Sequence, residues 1–261
     1  MTIIHTRIGE HRVELSCPSG ELAEFFQTNY ILSGFRPDEA PDIRLQIEPG
    51  YGVPFRDYDV GVEHSAGLTI YTRADYRIEA EPSYRKARLL VHNAFALKHA
   101  LVHFYSAYVV HTGWGLVLHA SSAVDGGAAH LFTGPSGAGK STAARLSQPR
   151  LLLSDEAAIV KLAEDGVFVY DSPFRSDISS GRLLTPYPLG SVHILHQAPA
   201  HERKAVRKPD AFLKLMDKIF YWPSNARDTS RVLGQLKKLA DNADVYDLYF
   251  QKNDQFWELI S

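Results

Sequence analysis

The clearest chemical signal in the sequence lies at residues 134–141, which are GPSGAGKS. This run fits the pattern G-x-x-x-x-G-K-[ST] (Walker A) at every position, and it stands between the apolar stretch AAHLF and the helix-forming stretch KSTAARL. Glycines let backbone N–H groups turn inward around phosphate oxygens, the lysine reaches the β and γ phosphates, and the hydroxyl binds Mg²⁺. The predicted nucleotide-binding residues are Gly134, Pro135, Ser136, Gly137, Ala138, Gly139, Lys140, Ser141 and Thr142.

Two acidic residues follow this motif closely. Asp155 and Glu156 come directly after the apolar run LLLS, and only one short helix and one strand fit between them and Lys140. We therefore expect their carboxylates at the rim of the loop. One carboxylate, with the Ser141 hydroxyl, can hold Mg²⁺, and another can accept the proton of an attacking hydroxyl. The alternative is a pair of acids that only caps a strand end.

A histidine is predicted to lie beside the same loop. The stretches LHASSAV and AAHLFTG flank Asp125–Gly127, and this arrangement is typical of a hairpin. If these three residues form the turn, His119 lies opposite Thr133; a turn shifted by one residue places it opposite Phe132 or Gly134. At any of these positions the imidazole could orient a catalytic base or stabilise charge. The alternative is a structural histidine bonded to the backbone.

Basic residues further along the chain are weaker candidates. Arg175 and Arg182 lie in the segment SPFRSDISSGRL, where an arginine could stabilise the charge of a transferred phosphoryl group, although surface arginines are common. Residues 201–238 carry an excess of Lys and Arg over Asp and Glu. This excess favours a solvated helix face and leaves an acidic partner as the alternative.

Composition narrows the class of protein. The chain has 261 residues, 45% hydrophobic and 22% charged, which suits a folded globular protein rather than a disordered one. The net charge of −2 argues against a surface that coats nucleic acid, and the single cysteine, Cys17, excludes an internal disulfide framework. The N-terminal stretch has no unbroken apolar core of signal-peptide length, and no long apolar run suggests a membrane span, so we expect a cytoplasmic protein.

The elements that carry these residues predict an α/β fold. Strand, loop, helix and strand follow one another over residues 128–162, which is typical of a P-loop nucleotide-binding core with at least one parallel strand pair. We expect a small α+β unit over residues 1–83, with strands on either side of Gly9 and Glu10 and a helix capped by Ser19. We expect the core, with C-terminal helices and a final strand at DVYDLYF, over residues 84–261. Tyr84–Tyr108 is the best candidate for a long helix. It carries His99 and His103 at a metal-compatible spacing, but the absence of an HExxH glutamate favours two histidines on a packed face.

Three segments together suggest a family. LHASSAV, GPSGAGKST and LLSDE, at this close spacing, resemble the HPr kinase/phosphorylase family and its smaller relatives, whose nucleotide core is similar to that of phosphoenolpyruvate carboxykinase. The resemblance covers about residues 110–195. It implies a core of HPr-kinase type in which Asp155 deprotonates a serine hydroxyl, His119 assists and Glu156 helps to hold the metal. It also implies ATP rather than GTP as the donor, and often an oligomer.

The leading hypothesis is therefore an ATP- and Mg²⁺-dependent kinase. It would transfer the γ-phosphoryl group to a serine-type hydroxyl of a protein or peptide, without a nucleic-acid or membrane partner. One alternative is phosphorylation of a small molecule or carboxykinase-type chemistry. Another is a nucleotide-binding regulator without transfer chemistry. The sequence does not name the acceptor.

Overall fold

The computed structural model describes residues 1–18, 20–32, 39–176, 183–223 and 225–261. These residues form two compact units, one of Met1–Thr112 with Tyr221–Thr229 and one of Gly113–Phe220 with Ser230–Ser261. Within the described residues, no helix combines the length and the apolar character needed to cross a bilayer.

A seven-stranded mixed sheet is the main feature of the first unit. Its spatial order is β1-β2-β3-β7-β6-β5-β4, with parallel pairing only between β2 and β3 and between β3 and β7. Buried and exposed residues alternate along the strands, as expected when one face of a sheet is packed and the other is solvated. The strands are β1 Thr2–Ile8, β2 His11–Cys17, β3 Ile43–Pro49, β4 Gly61–Ser65, β5 Leu68–Arg73, β6 Tyr76–Ala80 and β7 Lys86–Val91.

Two helices lie wholly within the described part of this unit. Helix α1 spans Glu21–Asn29 and contacts β1, while α2 spans Ala94–Thr112 and contacts β6 and β7. Helix α2 is buried on most of its circumference, which explains the long apolar sequence of this segment. The hairpin predicted around Gly9 is confirmed by the pairing of β1 with β2.

The second unit contains an eight-stranded mixed sheet. Its strands are β8 Gly115–Asp125, β9 Ala128–Thr133, β10 Leu151–Ser154, β11 Ala157–Leu162, β12 Val167–Tyr170, β13 Tyr187–Gln197, β14 Glu202–Ala205 and β15 Val245–Phe250. The helices of the chain beyond residue 113 are α3 Lys140–Leu146, α4 Lys208–Leu215 and α5 Ala226–Asn242, with 3-10 turns at Met216–Lys218 and Asp254–Leu259.

Five of these strands close into a ring. β8 pairs with β11, β11 with β12, β12 with β13, β13 with β9, and β9 returns to β8. Only the β9–β13 pair in this ring is parallel, and β13 also pairs in parallel with β15. The predicted existence of a parallel pair is therefore confirmed.

The predicted fold class, an α/β core of HPr-kinase type, is wrong. The described chain is mostly β, with two mixed sheets in which most neighbouring strands are antiparallel. An α/β core requires helices that cross over between parallel strands and cover both faces of the sheet. The run of strand, loop, helix and strand over residues 128–162 is present, but the strand after α3 pairs antiparallel with β8.

Several predicted elements have different bounds in the structure. Residues 86–91, which were expected to begin the long helix, form strand β7, and the helix starts only at Ala94. The first continuous segment of the first unit extends to Thr112, whereas the predicted N-terminal unit ends at residue 83. A capping Ser19 was expected before α1 and lies outside the described residues. The final strand predicted at DVYDLYF is confirmed as β15.

Candidate functional site

The middle of strand β8 brings the predicted site residues together. On one edge, Ala120 pairs with Thr133, the last residue of β9 before the loop Gly134–Gly139, hereafter the glycine loop. On the other edge, the backbone N–H of Ala120 donates to the carbonyl of Glu156 at 3.1 Å. Neighbouring strands lie about 4.8 Å apart, so the start of the glycine loop and the acidic pair are separated by about two strand spacings.

The hairpin that sets this register differs slightly from the expected one. Asp125 pairs with Ala128, so the turn consists of Gly126 and Gly127, and both have positive φ. This two-residue turn moves the partner of His119 from Thr133 to the position of Gly134, within the range that the sequence allowed. The predicted placement of His119 beside the loop is confirmed.

The glycine loop has a conformation that requires glycine at particular positions. Gly137 and Gly139 have φ of +78° and +109°, values that residues with a Cβ rarely adopt. A Cβ on Gly139 would also lie 2.8 Å from the Phe250 ring. Ala138 is buried in the same core cluster as Phe250, which fixes the loop against β15. Pro135, Ser136 and Gly137 are exposed, so the tip of the loop is accessible to a ligand.

Lys140 begins helix α3 and its side chain lies over the start of the loop. Its Nζ donates to the carbonyl oxygens of Gly134 at 3.0 Å and Pro135 at 3.1 Å. Burial, and then the positive charge of Lys218, lower the pKa of Lys140, while Glu156 acts in the opposite direction. A phosphate bound in the loop would offset both unfavourable effects on the ammonium group.

The acidic pair lies in the connection between β10 and β11. Asp155 is 4% exposed, and its two carboxylate oxygens accept the backbone N–H of Ser176 at 3.0 and 3.2 Å. The Ser176 hydroxyl donates to Oε2 of Glu156. The connection is held in place because the Ser154 hydroxyl donates to the carbonyl of Ala120 at 3.0 Å. A serine hydroxyl therefore reaches the acidic pair within the chain itself.

His119 lies beside the acidic pair, since it pairs with Ala157 across the β8–β11 ladder. Its ring packs against Phe220 at 5.2 Å between centroids. Burial lowers the pKa of His119 to about 4, with the charges of Lys140 and Lys218 adding to the effect and that of Glu156 opposing it. The imidazole is therefore neutral near pH 7 and can accept a proton or a hydrogen bond.

Lys218 is a candidate that the sequence reasoning missed. It is 8% exposed, and its Nζ donates to Oδ2 of Asp217 at 2.6 Å. Its charge acts on both Lys140 and His119. The only available signal was the basic excess over residues 201–238, which was interpreted mainly as a solvated helix face; nothing in the spacing distinguished this lysine from its neighbours.

Arg175 is held by its own segment of chain. Its Nε donates to the carbonyl of Ser172 at 2.9 Å, and its guanidinium forms an ion pair with Asp171. Weak contacts at 3.4 Å join Nη2 to the carbonyls of Leu152 and Leu153 in β10. These contacts tie residues 171–175 to the strand that leads into the acidic pair. Arg182, the other predicted arginine, lies outside the described residues.

A cleft of about 350 Å³ opens at the start of α3. Gln197 lines this cleft, and its Nε2 donates to the carbonyl of Gly137 at 2.7 Å. The volume lies in the range of small-ligand pockets. Other residues that line the cleft are Gly139, Thr142, Ala198, Phe250, Gln251 and Lys252.

The residues predicted to hold Mg²⁺ offer oxygen atoms only. Asp155 and Glu156 supply carboxylates, and the exposed Ser141 supplies a hydroxyl. This donor set fits Mg²⁺, which prefers oxygen ligands and is usually bound through one or two carboxylates together with phosphates and waters. Among the described residues, no group of three or more His, Cys, Asp or Glu side chains forms a metal site by itself.

The two histidines of α2 have other partners. His103 is buried and its Nδ1 lies 2.9 Å from the Tyr76 hydroxyl, while His99 Nδ1 lies 3.1 Å from Arg73 Nη2. This agrees with the favoured interpretation of two histidines on a packed face.

No protein-family model matches the chain. No curated protein matches it either.

Proposed function

We propose that this protein is an ATP-dependent kinase that transfers the γ-phosphoryl group to a serine-type hydroxyl of a protein or peptide. One observation carries the proposal: the glycine loop and the acidic pair flank the same residues of β8, with His119 at that point. Phosphoryl transfer needs a phosphate-binding loop, a metal-binding carboxylate and a proton acceptor close together, and this arrangement supplies all three.

Each residue has a separate task in the proposed reaction. Lys140 and the N–H groups of the glycine loop bind the phosphates, and the cleft beside Thr142 has room for part of the nucleoside. Asp155 accepts the proton of the acceptor hydroxyl, and neutral His119 supports the charge that forms there. Glu156 and Ser141 would hold Mg²⁺, which when bound neutralises phosphate charge.

The acceptor class is supported by the chain's own Ser176. Its hydroxyl donates to Glu156 and its backbone N–H donates to Asp155, so a serine can contact both acids at once through its side chain and its backbone. The same contact makes the exchanged assignment, with Glu156 as base and Asp155 at the metal, the specific alternative to test.

Family membership and location complete the proposal. Three sequence segments resemble those of the HPr kinase/phosphorylase family, and we infer a distant, HPr-kinase-related enzyme that acts in the cytoplasm. The structure does not have the α/β fold class that this resemblance implied, so the inference rests on the sequence segments alone. A homo-oligomer is the corresponding expectation for its assembly.

Transfer of labelled γ-phosphate tests this function. The protein would be incubated with labelled ATP, Mg²⁺ and an array of serine peptides, with matched peptides in which alanine replaces serine. We expect label on serine peptides only, and none in excess EDTA. Label on a small-molecule acceptor would favour the small-molecule kinase, and nucleotide binding without any transfer would favour a regulator.

A further inference from the structure

The strongest unexplained group near the site is the buried side chain of Lys218. Charged lysine side chains are almost never fully buried unless they are paired. The carboxylate that pairs with Lys218 belongs to the adjacent residue Asp217, whose side chain is 71% exposed. A partner so well solvated compensates only a small part of the burial of the ammonium.

Strand pairing fixes where this lysine lies. Leu118 forms an antiparallel bridge with Ile219, and the Phe220 N–H donates to the Val117 carbonyl at 2.9 Å. In an antiparallel pair the next residue on one strand faces the previous residue on the other, so Lys218 lies alongside His119. The contact between the His119 and Phe220 rings shows that these side chains share one face.

The edge of β8 involved is the one that carries the glycine loop. The opposite edge is occupied at this level by β11, where Ala158 pairs with Leu118. Strand β9 pairs with β8 only as far as Ala120, after which the chain leaves as the glycine loop. The segment around Ile219 therefore takes the place along β8 that β9 vacates, and Lys218 lies beside the start of the loop.

Two lysines thus converge on one side of the loop. Lys140 Nζ donates to the Gly134 carbonyl at the start of the loop, and the Leu118–Ile219 bridge puts Lys218 beside the same point, so the two side chains lie on one side of the loop. The charge of Lys218 acts on Lys140 in the direction expected for repulsion between like charges. Two like charges in such a position cost stability in the free protein. An anion of high charge density between them would reverse the sign of this interaction.

We infer that Lys218 and Lys140 together form a two-cation site for the terminal phosphate of a nucleoside triphosphate, with Lys218 on the side of His119 and the acceptor. This inference rests on the proposed function and adds a phosphate-binding residue from outside the glycine loop. Lys218 would contact the γ-phosphate, whereas the loop and Lys140 also bind the β-phosphate. Its contribution should therefore appear with a triphosphate and vanish with a diphosphate.

Binding of two nucleotides to one variant tests this. Lys218→Met keeps an unbranched apolar side chain that replaces the lysine stem, and it removes the charged end. We expect the variant to bind a non-hydrolysable Mg-ATP analogue about ten- to hundredfold more weakly than the wild type, as typical of a lost charge-assisted hydrogen bond. Its affinity for Mg-ADP should stay within about twofold. Lys237→Met, at an exposed lysine of α5, is the matched control and should change neither affinity.

Thermal unfolding and a second variant distinguish the loss of a phosphate contact from misfolding of Lys218→Met. Because Lys218→Met removes the repulsion with Lys140, its ligand-free melting temperature should equal or exceed that of the wild type, while stabilisation by the ATP analogue falls. Lys218→Arg should retain most of the preference for triphosphate. Equal analogue affinities in wild type and both variants would overturn the two-cation site while leaving the kinase proposal standing. A wild-type protein that binds neither nucleotide would instead overturn the proposed function.

Discussion

At the residue scale, the site contains groups whose charge states are set by one another. Lys140 and Lys218 depress the pKa of His119, and burial contributes most to that shift. The carboxylate of Glu156 acts in the opposite direction and raises the pKa of both His119 and Lys140. A neutral imidazole between cations and carboxylates can take part in hydrogen bonding without competing with the lysines for phosphate.

The first residue-scale prediction concerns Asp155, the proposed catalytic base. Asp155→Asn keeps the size of the side chain and removes the proton acceptor. Because a serine hydroxyl is a poor nucleophile near neutral pH, we expect turnover to fall by about 10²–10⁴-fold with little change in nucleotide affinity. Rates of labelled phosphate transfer, with binding measured separately, check this. If Glu156→Gln abolishes turnover while Asp155→Asn is nearly silent, the roles of the two acids are exchanged.

A second prediction concerns the stability of the protein in acid. The pKa of His119 is about 4 in the folded protein, against 6.5 for an unperturbed histidine. Between these values the unfolded chain binds a proton at this site and the native protein does not, so stability decreases as the pH falls through this window. His119→Gln should therefore lose less thermal stability than the wild type between about pH 7 and about pH 4.5.

The pKa values of three other buried histidines are also lowered; they are His103, His130 and His193. They are present in both the wild type and the variant, so the difference between the two proteins reports on His119. If the melting temperatures of the two proteins fall by the same amount as the pH is lowered, the depressed pKa of His119 is contradicted.

At the scale of elements, the glycine loop owes its shape to two separate constraints. Backbone dihedrals in the left-handed region favour glycine at residues 137 and 139, and close packing by Phe250 excludes a side chain at residue 139 only. The packing of Phe250 in β15 against the loop therefore fixes the position of the loop, while the tip of the loop remains accessible. This arrangement keeps the N–H groups of the loop oriented before any ligand binds.

Gly139→Ala separates these constraints from each other. The new methyl group would lie 2.8 Å from Phe250 in addition to the strain of a φ of +109°, so we expect a loss of about 1–3 kcal/mol in the free energy of unfolding and weaker nucleotide binding. Gly137→Ala is the control, because it has a φ of +78° but, beyond its chain neighbours, no atom of the described residues lies within 4 Å of the added carbon. Denaturant unfolding should show the larger loss for Gly139→Ala, and Phe250→Leu in that background should recover part of it. Equal losses would mean that Phe250 does not define the loop.

The sequence predicted the relative positions of the candidate residues better than it predicted the fold class. The register of the β8–β9 hairpin follows from a two-residue glycine turn, so the position of His119 could be derived to within one residue. The spacing from Lys140 to Asp155 likewise implied proximity. The pairing partner of a strand depends on distant segments, and nothing local indicated that β10 would pair antiparallel with β8. Lys218 was missed for the same reason, since its bridge joins residues far apart in sequence.

At the scale of the whole molecule, the candidate site belongs to one unit. The glycine loop, the acidic pair, His119 and Lys218 all lie within Gly113–Phe220, and β15 of the same unit supports the loop. In the proposed function, the mixed sheet of this unit presents a loop after one strand and acids after another at one level, as a parallel sheet does in known nucleotide-binding folds. The proposed activity depends on this local presentation rather than on fold class.

Titration calorimetry of Mg-ADP and a Mg-ATP analogue into wild type and Lys140→Ala is the most direct test of the central claim, that nucleotide phosphates bind at the glycine loop. The Lys140 side chain contacts loop carbonyls and is only partly buried, so its removal should leave the melting temperature of the free protein nearly unchanged. We predict saturable binding to the wild type and a loss of about ten- to hundredfold or more in affinity for both nucleotides in the variant. Equal affinities in the two proteins, or no binding to the wild type, would contradict the account.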